Sequence, residues 1–406
     1  MPATSAYDLA LPTLETAGLE RSEVLSVIGR ARTEHWLART PIGFMLTEYR
    51  DAVAVLRDRR FHSALSLLPA MAGVESDRYL ESRRRSILAM EGDEHARLRR
   101  LVAPAFTPAA TDRLRPFMRE VVSGLVDEVA GSGRCELVAD VCEPYPIPII
   151  CELLGAPKED WKLFSGWATD IFRIFNQDLA HDLPTIEKAS GELESYVRSM
   201  VEQRRRHPSD DLLSTLIAIE EAGDRLSSDE LVMLAEAVLM AGTDTTRNQL
   251  ACSVALLSEH PDQWALLAEH PELAPRAVEE TMRYLGAVRG TARVASVDIE
   301  YRDVLFPAGT IVSVALAGAN MDPEVFNSPE TFDITAVREA VQMTFGSGIH
   351  FCLGAALARA ELQEALPLLA RRMPDLKPDG PVEWKPATFG IWGPARLPLR
   401  FEARAA

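Results

Sequence analysis

One cysteine stands out by its surroundings. In FGSGIHFCLG (Phe345–Gly354), Cys352 shares a tight stretch with three glycines and His350, and the strongly helical GAALARAELQEALPLLARR follows at once. A thiolate at a helix N-terminus is stabilised by free N–H groups and the helix dipole. Gly346, Gly348 and Gly354 let the backbone turn sharply and approach a flat partner, and Phe345 is placed to pack over the sulfur or that partner's plane. Three chemistries are open: an inert buried thiol, a nucleophile with His350 as base, or a thiolate ligand to a metal. Residues two apart in a turn face each other poorly, and the stretch is no GxSxG elbow, which weighs against the nucleophile. No second Cys or His lies at zinc-like spacing, so a metal would have to bring its own remaining ligands.

A second stretch, AGTDTT (Ala241–Thr246), pairs an acid with an alcohol. Ordered water needs several polar partners, and Asp244 beside Thr245 suits proton delivery if something nearby consumes protons. These residues interrupt the longest periodic run of the chain, Ser227 to His260, with weak helix formers. Two readings stay open: a kink or helix boundary, or a notch in which Ala241 and Gly242 admit a planar ligand.

The elements that must carry these groups read mainly as helix. Tyr49–Asp58, Thr111–Gly131 and Thr185–Arg206 place apolar residues three and four apart, and Tyr145–Pro157 has proline only near its start, then a short apolar helix. The Ser227–His260 run opens with a capping box, Ser227 and Glu230, and would be roughly 50 Å long as one helix, enough to cross a domain. Strand signals are confined to Thr291–Tyr301, Thr310–Asn320 and LPLRFEA near the C-terminus. With no repeat and no linker, the chain of 406 residues reads as one mainly α domain, 1–406, with a minor β-sheet region. A net charge of -17 argues against a general nucleic-acid or anionic-membrane binder. No apolar run long enough to span a membrane and no secretory start are found, and five scattered cysteines fit a reducing cytoplasm.

FGSGIHFCLGAALARAE resembles the haem-binding signature of cytochrome P450 enzymes, in the form used by soluble bacterial members. Haem supplies four porphyrin nitrogens and leaves an axial site, and a Cys thiolate fills it in that family. Other matches lie far away and in the right order. Glu280 and Arg283 in EETMR resemble the Glu-x-x-Arg pair of a salt-bridge network behind the haem. AGTDTT resembles the oxygen-activation stretch of the family's central helix, with Asp244 the acid and Thr245 the alcohol. DEHARLRR resembles the His-x-x-x-Arg helix, which makes His95 and Arg99 partners of the haem propionates, joined by Arg293 in GTARVAS and His350. Two departures stand out: Met321 occupies a common arginine position, and Arg338 stands off the usual register and receives no role in the network.

The resemblance implies the cytochrome P450 fold with a long central helix, haem b (iron protoporphyrin IX) as cofactor, and monooxygenation with O2. The expected product is a hydroxylated apolar small molecule such as a fatty acid, terpenoid, steroid or macrolide. Leu239, Met240, Ala241, Leu285, Ala287, Val288, Ile391 and Trp392 are the expected pocket walls, with SALSLLPAM (Ser63–Met71) and Phe389 adding to them. The chain holds no flavin, iron–sulfur or Rossmann motif, so ferredoxin and ferredoxin reductase are the expected electron donors, docking on a basic patch of Arg97, Arg100 and Arg359. A cytoplasmic monomer is expected. The alternatives are a peroxide-driven or isomerising haem-thiolate enzyme, a haem ligand sensor without turnover, and a cysteine hydrolase without haem.

Overall fold

The computed structural model describes residues 3–16, 18–71, 73–175, 178–223, 225–386 and 390–403; Phe389 lies outside them. Its axis is one helix, Ser228–Ser258, closed at its start by the Ser227–Glu230 capping box. The helix runs unbroken through AGTDTT. The threonine hydroxyls fold back onto the ladder, Thr243 Oγ1 donating to Leu239 O at 2.7 Å and Thr245 Oγ1 to Ala241 O at 2.9 Å. That bonding keeps poor helix formers inside the helix, so the boundary reading is set aside.

The helix Pro146–Leu154 crosses the central helix where Gly242 sits, and Gly155 in the left-handed region ends it. A Cβ at 242 would stand 2.9 Å from Ile150 Cγ1. Gly242 therefore serves a close helix crossing. Trp161–Ile171 and Leu179–Arg206 pack against the central helix, the latter beginning earlier than its periodicity suggests. The helix after the cysteine, Ala355–Arg372, packs against Arg115–Ala130, Pro261–Glu269 and Ala274–Tyr284.

The largest sheet orders its strands Leu37–Thr40, Gly43–Leu46, Ile311–Val314, Thr291–Ala295, Phe61–Ser63. The expected strand Thr291–Tyr301 is two, broken before Ile299–Tyr301, and the run Thr310–Asn320 is a strand followed by a helical turn, Leu316–Ala319. Register sets Arg293 opposite Ser63 on one side and Val312 on the other. Near the C-terminus, Glu383–Trp384 pairs with Pro394–Arg396 in a small hairpin, and Pro398–Arg400 joins Arg134–Glu136.

Candidate active site

The cysteine turn is closed by its own backbone, Cys352 N donating to Phe345 O at 3.0 Å. Gly346 and Gly348 have φ of 71° and 75°, where glycine is favoured. A Cβ at 348 would fall 1.9 Å from Leu56 O, so the turn docks backbone to backbone on the end of Tyr49–Arg57. Gly354 is different: it has an ordinary φ of -81° and precedes the first residue of the helix. Its N–H reaches the Cys352 sulfur. Burial pushes the thiol up, against the pull of that N–H, Arg99 and Arg359. In the haem-free chain burial wins, so the helix start alone does not make a thiolate, and a metal would complete the deprotonation. The Arg359 guanidinium lies over the Phe345 ring at 4.5 Å.

Beside this turn four basic groups converge. His95 and Arg99 share one face of Gly92–Val102, and His95 meets His350 with ring centroids 4.7 Å apart. Burial, then His350 and Arg99, push His95 down to about 4, so it is a neutral donor at pH 7. Arg293 is 4% exposed. It donates to Thr291 Oγ1 at 3.2 Å and Ala292 O at 3.0 Å, with no carboxylate at ion-pair distance among the described residues. Burial pushes it down to about 10. Glu91, which sequence reasoning passed over, sits among them. It accepts from His350 Nε2 at 3.0 Å and Ser63 N at 2.5 Å. Burial raises its carboxyl, but these bonds outweigh it and the group ends low.

Past its first turn the central helix is exposed at Ala241, between buried Met240 and Thr243, and Thr245 is half-buried one turn on. Asp244 is buried, its Oδ1 paired with Arg247 Nη2. Of the expected walls, Ala241, Val288 and Ile391 keep exposed surface, and Val288 bridges Ile391. Leu239 and Ala287, at 0% and 1% exposure, belong to the core instead. Each helix residue advances about 100°, so Leu239 points well away from the face that carries Ala241. Met240 and Leu285 are also buried. The Trp392 indole is taken up by Trp384, stacked at 4.4 Å, and by Arg289 at 5.0 Å.

A family model described as Cytochrome P450 matches residues 158–374. The chain belongs to the cytochrome P450 family. Luteothin monooxygenase of Streptomyces thioluteus is 36% identical, over 93% of this chain and 92% of that protein. Nocardicin C N-oxygenase of Nocardia uniformis subsp. tsuyamanensis is 38% identical, over 91% and 93%. The structure of P450BioI in complex with acyl carrier protein ligated to hexadec-9Z-enoic acid superposes with a TM-score of 0.87 at 32% identity, covering 94% of this chain and 99% of that one.

P450 enzymes bind haem b, and this chain has the features to accept it: an opening at Ala241, a buried Arg293 without an acid of its own, and one thiol in a glycine turn. No group of three or more His, Cys, Asp or Glu able to hold a metal occurs among the described residues. The P450 Glu-x-x-Arg pair is bidentate and buried, Arg283 Nε and Nη2 each 2.8 Å from Glu280. Arg283 also donates to Asn320, Pro329 and Thr331 carbonyls, and its remaining reach ends on the Met321 sulfur. Arg338 does join this network, its Nη2 2.9 Å from Glu280 Oε1, which corrects the sequence-based exclusion. A further buried acid, Glu361, sits on the cysteine helix. Burial pushes it up to about 8 against a hydrogen bond from Thr246. Its only sequence signal is its place in the quoted haem motif. Outside Cys352 runs a groove of about 430 Å³ lined by Arg99, Arg115, Phe351 and Arg359 among others. Arg97 and Arg100 do not line it, Arg97 being paired with Glu230 at the start of the central helix. No helix among the described residues is long and apolar enough to cross a membrane.

Proposed function

We propose that this P450 monooxygenase inserts one oxygen atom from O2 into a C–H bond of an apolar small molecule of fatty-acyl or polyketide size, with electrons from a ferredoxin. The observation that carries the reading is the opening of the central helix at Ala241, with Thr245 bonded to the Ala241 carbonyl and Asp244 next to it. Bound haem supplies O2 activation at a thiolate-held iron. The chain's own residues do the rest. Cys352 supplies the thiolate, and His95, Arg99, Arg293 and His350 hold the two propionates by charge-assisted and neutral hydrogen bonds. Thr245 and Asp244 pass protons toward the opening. Ala241, Val288 and Ile391 present apolar surface and exclude water. Glu280, Arg283 and Arg338 brace the loop that leads into the cysteine turn. The groove over Cys352 offers Arg99, whose Nη2 donates to Phe351 O at 2.5 Å, and the exposed Phe351 ring to an acidic iron–sulfur partner. The solved relative bound to acyl carrier protein ligated to hexadec-9Z-enoic acid supports a substrate with an extended apolar chain.

A screen of such compounds for the low-to-high-spin shift, followed by turnover with ferredoxin and its reductase, tests the reading. Hits are expected among long-chain acyl and polyketide compounds, with product that requires the redox partners. Product formed equally well from peroxide alone would overturn the electron route. Cys352→Ala is expected to lose the thiolate-type Soret shift of the reduced CO complex, and persistence of that shift would remove Cys352 as ligand.

A further inference from the structure

A second set of polar groups gathers on the acid of the acid–alcohol pair, and one member comes from the far end of the chain. Asp244, Arg247 and Asn248 are three and four apart on the central helix and share a face. Arg247 Nη2 pairs with Asp244 Oδ1 and also reaches Thr169 Oγ1 at 3.2 Å. Asn248 Nδ2 donates to the Asp244 carbonyl at 2.7 Å. Lys385, on the C-terminal hairpin, closes the ring: its Nζ donates to Asn248 Oδ1 at 2.8 Å and stands 4.0 Å from Asp244 Oδ1.

The hairpin is held to this spot by several independent contacts. Lys385 N donates to Gly393 O at 3.1 Å, and Lys385 O accepts from Trp392 Nε1 at 2.9 Å. Gly393 is the point of closest approach, since a Cβ there would stand 2.8 Å from Asn248 Oδ1 and 3.1 Å from Asn248 Cβ. The side chain of Lys385 is 33% exposed and that of Asp244 is 6% exposed, so the ring links the buried acid to a more accessible group. Burial lowers the Lys385 ammonium and Asp244 supports it against that pull. A carboxylate bound by one arginine of its own helix can still rotate about its side-chain torsions. A second cation, anchored on Asn248 by a separate element and facing the same oxygen at 4.0 Å, narrows that freedom electrostatically.

We propose that Lys385 is a positioning residue for proton delivery: by fixing the Asp244 carboxylate it sets how much reducing power reaches product instead of peroxide. The proposal rests on the roles given above to Asp244 and Thr245. Both outcomes draw on the same electrons and protons from the redox partners. Coupled turnover places one oxygen atom of O2 in product and the other in water, and uncoupled turnover releases both as hydrogen peroxide.

The test uses the haem-loaded enzyme, ferredoxin, reductase and a substrate that gives the spin shift. Peroxide and product per reducing equivalent are measured for Lys385→Met, Lys385→Arg and Thr245→Ala, alongside haem content and the reduced CO spectrum. Lys385→Met is expected to keep haem content, CO band and substrate-binding constant, while the ratio of peroxide to product rises about tenfold, the effect of losing roughly one charge-assisted hydrogen bond. Lys385→Arg is expected to restore the ratio. Wild-type coupling in Lys385→Met overturns the proposal, and so does equal impairment of the Met and Arg variants. If Lys385→Met does not fold, Gly393→Ala, which keeps the lysine side chain but pushes its hairpin off Asn248, decides by the same ratio. Unchanged coupling in Thr245→Ala would instead sink the reading of the acid–alcohol pair itself. Uncoupling in Thr245→Ala with normal Lys385→Met sinks only the role of Lys385.

Discussion

Replacing Arg293 by Met should have opposite effects on the haem-free and the haem-loaded protein. In the haem-free chain the guanidinium is 4% exposed and burial has pushed it down to about 10 from its ordinary value. That drop spans between two and three decades of proton affinity, and each decade is worth about 1.4 kcal/mol, so keeping the charge in the fold costs roughly 3 kcal/mol. The sign follows from the direction of the shift. A base held low in the fold is charged in both folded and unfolded chains at pH 7, so the whole penalty is felt there and fades only as pH passes about 10. Methionine removes the penalty and gives up the bonds to Thr291 and Ala292, worth about 1 kcal/mol net. The haem-free variant should therefore be more stable by about 1–2 kcal/mol, as when a buried ion is replaced by an apolar side chain. With haem present, the proposed role of Arg293 means that the same change would remove a charge-assisted bond to a propionate, worth about 1.5–3 kcal/mol, and haem should leave for a scavenger protein about 10- to 100-fold faster. Urea titrations of protein expressed with and without haem precursor give both quantities. A haem-free variant destabilised as much as the haem-loaded one would refute the reasoning, because Arg293 would then be an ordinary structural arginine.

Two further outcomes follow from the other buried charges. Glu361, pushed up to about 8, keeps its proton in the fold between the ordinary carboxylate range and that value, so its stabilising share is complete in acid and drains away as pH rises toward 8. From pH 5.5 to 8 the loss should be about 3 kcal/mol in urea stability, and Glu361→Gln should flatten it; an equally steep variant would contradict the assignment. Glu280→Gln leaves Arg283 and Arg338 without their shared anion and should cost about 3–5 kcal/mol, read as a fall in urea midpoint. A change below about 1 kcal/mol would show that the carbonyls of Asn320, Pro329 and Thr331 suffice to hold Arg283.

What could be read in the sequence is what depends on near neighbours. The Ser227–Glu230 box, the Glu280–Arg283 pair and the His95–Arg99 spacing are all contained within one helical turn, and the structure has each as a local pair or shared face. The glycine turn is legible for the same reason, since its positive φ values are properties of the residues themselves. Orientation within the central helix is not. Its second half is buried all round, so no apolar stripe marks which face meets the opening. Leu239, Met240 and Ala241 look alike in the sequence, and only the crossing helix at Ile150 decides that Ala241 faces outward and Gly242 faces in. Arg338 on Glu280 and Lys385 on Asn248 span 58 and 137 residues, and no periodicity carries that information.

The buried charges also sort themselves by what satisfies them, and this separates architecture from chemistry. Arg283 has Glu280 and three carbonyls, so its charge is settled within the chain and nothing further need arrive. Arg289 has no carboxylate at ion-pair distance among the described residues and is pushed down to about 10, yet the Trp392 indole covers it, and a cation on an aromatic face is partly compensated. Arg293 differs from both. It is buried and shifted like Arg289, but its hydrogen-bond partners are one hydroxyl and one carbonyl of its own strand, and the acid that acts on it, Glu91, is already engaged by His350 and Ser63. A lone buried cation of this kind is stable only if something anionic completes it. A porphyrin held through Cys352, as proposed, would bring two carboxylates that could complete Arg293, so the residue that weakens the fold on its own would be the one that rewards haem binding.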